Sequence, residues 1–254
     1  AADSLFRGLV ENLPLEEWLG RVWIAEKAIL TPETTYLGSV LGLAENLLSG
    51  STTVMDMFWY PDETVRAAKD LGMRISTGGI FFDLPGIGGR SHENYVLEAQ
   101  NFYKSHSSDD SVIPAILPHG SYTVSPQNLS EAKSIADQYG ILFCTHAAET
   151  QAEQNDIKTR YDNSVIRHLD KYKLLGETSV LAHCVHLDET EISLLAQSKT
   201  NVVLNPMSNL KLGSGIAPVK EMYRAGINLT LGTDGAISGN DLDMWLAMRL
   251  TCGL

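Results

Sequence analysis

Three side chains stand where apolar runs stop: His146 in FCTHAAET, His183 in LAHCVH and Asp234 in LTLGTDGAISG. An unpaired charge at the end of a buried strand is costly, so Asp234 calls for a partner. Imidazole is the commonest metal ligand, and Glu149, three residues after His146, can move protons if it is held beside a substrate. Singly, each residue has an ordinary reading. His146 and Glu149 can be surface residues, His183 a hydrogen-bonded core histidine, and Asp234 a turn residue or a cap for NDLDMWLAMRL. Together, two histidines and an aspartate ending separate strands make a nitrogen and oxygen donor set suited to zinc or iron, with a carboxylate to hand.

The runs that must carry them read as strands at 52–57, 74–80, 112–118, 141–146, 178–184, 201–205 and 227–234. Between them lie DETVRAAKDLG, NYVLEAQNFYKS, NLSEAKSIADQYG, SVIRHLDKYKLLG, DETEISLLAQS and GIAPVKEMYRAG, each with helical spacing of apolar residues. Strands without polar alternation, separated by helices, predict a parallel sheet covered on both faces. Polar groups at five strand ends, His119, His146, His183, Asn205 and Asp234, favour an α/β fold of the (β/α)8 TIM-barrel type, whose strand ends ring one mouth. A doubly wound sheet would bring a glycine-rich phosphate loop, and GIGGRS at 86–91 follows no clean strand. Before residue 52 the chain reads as helices, with Thr31 as N-cap and Pro32 at the first helical position. Seven strands are countable, so the first of eight is expected to be missing. No linker or second domain is visible.

With 254 residues, 44% hydrophobic and 20% charged, the composition is that of a globular protein. A net charge of −12 disfavours nucleic acid and anionic membranes as partners and favours a small ligand. Cys144, Cys184 and Cys252 form no disulfide framework, and no long apolar stretch or leader pattern is seen. A cytoplasmic setting is therefore expected.

At RGLVENLPLEEWL, LPHGSYTVSPQNL, THAAET, LAHCVHLDETEI, NPMSNLKLGSGIAPV and LGTDGAISGNDLDMWLAMRL the chain resembles the metal-dependent amidohydrolase superfamily. Within it, the likeness is to the deaminases of S-adenosylhomocysteine and 5'-methylthioadenosine, and it covers nearly the whole chain. The resemblance implies His146 and Asp234 as ligands of one divalent metal ion, zinc first and iron second, on the family's fifth and eighth strands. It implies Glu149, His183 and Asp234 as catalytic residues: Glu149 shuttles protons to the ring, and His183 bonds the attacking water. Glu26, Arg90, His119 and Glu149 match positions that hold the substrate, Glu26 only across a one-residue gap. The activity implied is hydrolytic deamination of an amino-substituted purine or nucleoside, in a homo-oligomer.

Two departures stand out. The family's HxH pair at the end of strand one belongs just ahead of AADSLFRG, and its closing helices and flanking β-sandwich are not in 1–254. A barrel domain incomplete at both ends is the expectation, with metal bound weakly or not at all by this chain. Gly78 in STGG stands where the family has a substrate arginine. The alternatives are a sister hydrolase removing chloride, thioether or amide groups from triazine-like rings, and a non-catalytic, metal-free fold.

Overall fold

A computed structural model describes residues 1–84, 86–87 and 89–253; Gly88 of the GIGGRS stretch lies outside them. A short 3-10 helix (Ala2–Phe6) leads into α1 (Leu15–Ile29) and α2 (Pro32–Leu48). Strands and helices then alternate through β1 (Thr53–Met55), α3 (Pro61–Asp70), β2 (Arg74–Phe81), α4 (His92–His106), β3 (Val112–Pro118) and α5 (Pro126–Tyr139). Two helices, α6 (Gln151–Tyr161) and α7 (Val165–Lys171), separate β4 (Leu142–Ala147) from β5 (Ser179–His183). The remainder runs α8 (Glu189–Ser198), β6 (Asn201–Leu204), α9 (Pro206–Lys211), α10 (Val219–Arg224), β7 (Leu229–Leu231), α11 (Ala236–Gly239) and α12 (Met244–Gly253).

All seven expected strands form, and they pair in parallel in sequence order, β1 through β7. Sequential parallel order is that of a barrel, since a doubly wound sheet reverses its order at the middle. Residues beyond the two edge strands, Phe58 after β1 and Asp234 after β7, line the same cavity, so the sheet curls. The β2–β3 contact spans seven register pairs, Ile75–Val112 to Phe81–Pro118, and anchors one side. Gly79 of β2 lets α4 seat closely on this strand: a Cβ there would fall 2.3 Å from the Ala99 Cβ of α4.

Local signals set the helix starts. Thr31 and Thr34 form a reciprocal capping box around Pro32 at the start of α2, and Asp188 and Glu191 do the same for α8. The main core packs Phe143, Leu181, Val202 and Leu204 against Leu129, Ile157, Ile166 and Leu195 of the outer helices. Each fully buried side chain of this size is worth ~1.5–3 kcal/mol. A second cluster, built on Leu43, Met73, Ile75 and Phe102, seals the start of β2 against α2 and α4. Cys144 and Cys184 are buried core residues, and Cys252 is exposed. Among the described residues no helix is long and apolar enough to cross a membrane.

Candidate active site

His146 is the penultimate residue of β4, and its ring is held by backbone. Its Nδ1 lies 2.6 Å from the His119 carbonyl, which also accepts the His146 amide at 3.1 Å. The Nδ1 nitrogen therefore carries the proton and Nε2 keeps a lone pair. His119 follows β3, with Nδ1 at 2.9 Å from Thr123 Oγ1. Desolvation lowers the proton affinity of both imidazoles, and their histidine neighbours lower it further. Neutral imidazole is the form that ligates a metal.

His183 ends β5 at 1% exposure. Its Nδ1 lies 2.9 Å from Asn209 Oδ1, which leaves Nε2 facing Glu149 Oε2 at 3.6 Å, beyond hydrogen-bond length. The ring centroids of His146 and His183 are 5.4 Å apart, and those of His119 and His146 4.9 Å. Glu149 enters this row because Ala148 turns the chain through the left-handed region, φ +52°. One Glu149 oxygen accepts the Ser214 hydroxyl at 3.4 Å. Burial is the main reason its carboxyl is pushed up to about 7; the Asp234 charge adds to the rise and His146 opposes it.

Asp234 sits past β7 with φ +59°. Its Oδ2 accepts the Ser208 hydroxyl at 2.7 Å and its Oδ1 the Gly235 amide at 2.8 Å. Desolvation pushes this carboxyl up, but His183, His146 and the two hydrogen bonds outweigh it and hold the group below its ordinary range. Ala148, His183, Cys184 and Asp234 all have positive φ. Non-glycine residues held there cost on the order of 1–3 kcal/mol each and gather where function demands them.

The opposite wall is aromatic. Trp59 and Phe82 stack with centroids 5.1 Å apart, Phe82 stacks on His119 at 4.7 Å, and Trp23 meets Phe82 edge-on at 6.2 Å. Glu26 of α1 is buried among them and accepts the Trp59 indole at 3.0 Å, and desolvation pushes its carboxyl up to about 7. The walls enclose a cavity of about 130 Å³.

Glu26, His119, His146, Glu149, His183 and Asp234 thus meet in one cavity. Arg90 does not join them. It pairs with Glu98 at 2.8 Å, bonds the Ile87 carbonyl and lies over the Tyr60 ring, lining a neighbouring cavity with Gly78. At Gly78 any Cβ would fall 2.1 Å from the Ala115 carbonyl, so an arginine has no room on this backbone. Asn205 is buried and, although it follows β6, is not among the residues lining the cavity. Asp234 does not cap α12, where the Trp245 amide is met by Asp243 Oδ1 at 2.8 Å instead. Among the described residues no group of three or more His, Cys, Asp or Glu side chains forms a complete metal-binding cluster.

Sequence reasoning missed Trp23, Trp59, Phe82 and Tyr122 of the cavity wall, and Ser208 and Asn209 behind Asp234 and His183. The last two lie in the NPMSNLKLG motif, where polar residues directly after a strand were the available signal.

A family model described as the Amidohydrolase family matches residues 1–253. The chain is 38% identical over 250 residues to a 5-methylthioadenosine/S-adenosylhomocysteine deaminase of Aquifex aeolicus, covering 98% of this chain and 58% of that protein. It is 36% identical over 249 residues to a 5'-deoxyadenosine deaminase of Methanothermobacter thermautotrophicus, covering 97% of this chain and 58% of that one. The fold superposes on a crystal structure of an adenosine deaminase from Xanthomonas campestris with bound zinc, with a TM-score of 0.95 and 34% identity, over 98% of this chain and 57% of that one. The chain therefore spans less than three-fifths of each of these three relatives. It belongs to the amidohydrolase family.

Proposed function

We propose that the protein is a metal-dependent aminohydrolase that deaminates an adenosine derivative and releases ammonia. The observation that carries this reading is Glu149: a desolvated carboxyl with a proton affinity near neutrality, 3.6 Å from His183, in the cavity it shares with His146 and Asp234. A general acid works best when its pKa lies near the operating pH. The similarity to proteins named as adenosine-type deaminases supports the substrate class.

His146 and Asp234 would hold the divalent metal. The fit rests on donor chemistry: a neutral imidazole with its outer nitrogen tied to a carbonyl, and an ionised carboxylate with both oxygens oriented by protein donors. Such supporting bonds are what zinc ligands need. Bound there, zinc would supply an activated water for attack on the amine-bearing carbon. Asp234, held ionised, would accept a proton from the attacking water and return it to the departing amine, which leaves as ammonia. His183, whose Nδ1 is engaged by Asn209, would offer Nε2 as the acceptor that orients the attacking water. Glu149 gives its proton to the adjacent ring nitrogen. Glu26 and His119 hold the substrate against the aromatic wall, and Arg90 would reach it only by leaving Glu98. A cytoplasmic homo-oligomer belongs to the same reading; the three free cysteines support a reducing compartment.

The test is release of ammonia and of chloride by the full-length protein with zinc, over 5'-methylthioadenosine, 5'-deoxyadenosine, S-adenosylhomocysteine, adenosine, guanine and chloro-triazines. Turnover of an adenosine derivative is expected. Hydrolysis of triazines alone would overturn the reading.

A further inference from the structure

Glu153 is 3% exposed, acidic, and outside the group of residues lining the cavity. It sits in the first turn of α6, whose N-cap is Thr150, with the Thr150 hydroxyl accepting the Glu153 amide at 3.0 Å. In a capping box the third-position acid bonds the amide of the N-cap itself. Here Glu153 Oε2 accepts the amide of the residue before the cap, Glu149, at 2.8 Å. Its other oxygen, Oε1, accepts the Ser121 hydroxyl at 3.2 Å. Ser121 lies in the segment between β3 and α5 that carries His119 and Tyr122, both lining the cavity.

One buried carboxyl thus ties together the two loops that supply Glu149 and His119. The tie on Glu149 is needed because the chain there leaves β4 through Ala148 at φ +52°, a conformation that alanine holds only under constraint. We propose that Glu153 is the positioning residue of Glu149: by clamping its amide and bridging to Ser121, it fixes the direction in which the Glu149 carboxyl enters the cavity. This rests on the assignment of Glu149 as the proton carrier. Desolvation and the nearby Glu149 push the Glu153 carboxyl up to about 8, so a neutral side chain of the same shape should do its work. Glutamine meets that need, with its carbonyl accepting the Glu149 amide and its amide donating to Ser121 Oγ.

The test uses full-length protein and two readouts. Glu153→Ala should lower kcat by about 10–100-fold with KM changed less than about threefold, the size a small misplacement of a catalytic group gives. It should also speed hydrogen exchange at the Glu149 amide about tenfold or more. Glu153→Gln should restore both. If the alanine variant does not fold, Glu153→Asp, one methylene short of the bridge, takes its place. Normal kcat and normal exchange in the alanine or aspartate variant would overturn the proposal, as would a glutamine variant as impaired as alanine. If wild-type protein turns over no heterocycle, the deaminase reading fails by itself, and exchange at Glu149 still decides whether Glu153 clamps it.

Discussion

The two walls of the cavity differ in how their side chains are held. On the wall from β4, β5 and β7, each polar group has a dedicated partner behind it: a carbonyl for His146, Asn209 for His183, Ser208 for Asp234. On the wall from α1, β1 and β2, rings rest on one another and the buried acid that lines the cavity there, Glu26, is held by an indole. Hydrogen bonds fix direction, while stacked rings fix shape and tolerate adjustment. Chemistry needs direction and substrate choice needs shape, so the polar wall should govern kcat and the aromatic wall KM.

The largest effect expected is that of His146→Ala, which should remove the metal and abolish measurable turnover, about 10³-fold or more. Metal analysis of purified full-length protein checks it; stoichiometric zinc in the variant would move the ligand role elsewhere. Glu149→Gln should keep the metal and lower kcat by about 10²–10⁴-fold. If Glu149 donates in its acid form, as proposed, its carboxyl, pushed up to about 7 in the free protein, should make wild-type kcat/KM fall as pH rises past that value. A pH profile unchanged by the substitution would break the division between walls.

Glu26 offers a test by stability. Its carboxyl is raised from 4.5 to about 7 in the fold. The stability it contributes is present below pH 4.5 and is lost as pH rises through about 7. At roughly 1.4 kcal/mol per unit, the shift bounds the loss at ~3 kcal/mol. Glu26→Gln should therefore unfold with a flatter pH dependence between about 4.5 and 8, read from denaturant titrations at each pH. Parallel curves for the two proteins would mean that Glu26 is charged in place.

Phe82→Ala, on the aromatic wall, should raise KM about tenfold with kcat changed by less than about threefold, as loss of one ring contact implies. An equal fall in kcat would mean that the stack also aims His119. Smallest of all, Arg90→Ala should change kcat/KM by about threefold or less, the range of an ion pair near the surface. A tenfold rise in KM with folding intact would instead place Arg90 on the substrate.

The strand runs were legible because β4, β5 and β6 are buried by helices and carry little polar alternation, and Thr31 announced a helix start. The helix α6 was not: QAEQNDIKTRY buries only Glu153 and Ile157, so its sequence shows no apolar face. For the same reason Glu153 reads as a surface acid. Histidines and acids at strand ends marked the polar wall, because residue type states the chemistry. Arg90 misled because a cation's role depends on its partner, and Glu98, eight residues on, gave no sign that it would claim the guanidinium. The aromatic wall stayed hidden because tryptophan and phenylalanine are as common in cores as in binding surfaces.

The tether on His146 runs to the carbonyl of residue 119, not to its side chain. Any amino acid at that position supplies the same oxygen. Position 119 can therefore vary in what it offers a ligand while the histidine one strand over keeps its aim. In a lineage that changes substrates, this makes residue 119 an independently adjustable contact, uncoupled from upkeep of the reaction centre. A saturation library at that codon, screened against many heterocycles, should return altered preferences among variants that all keep the metal content of the parent protein.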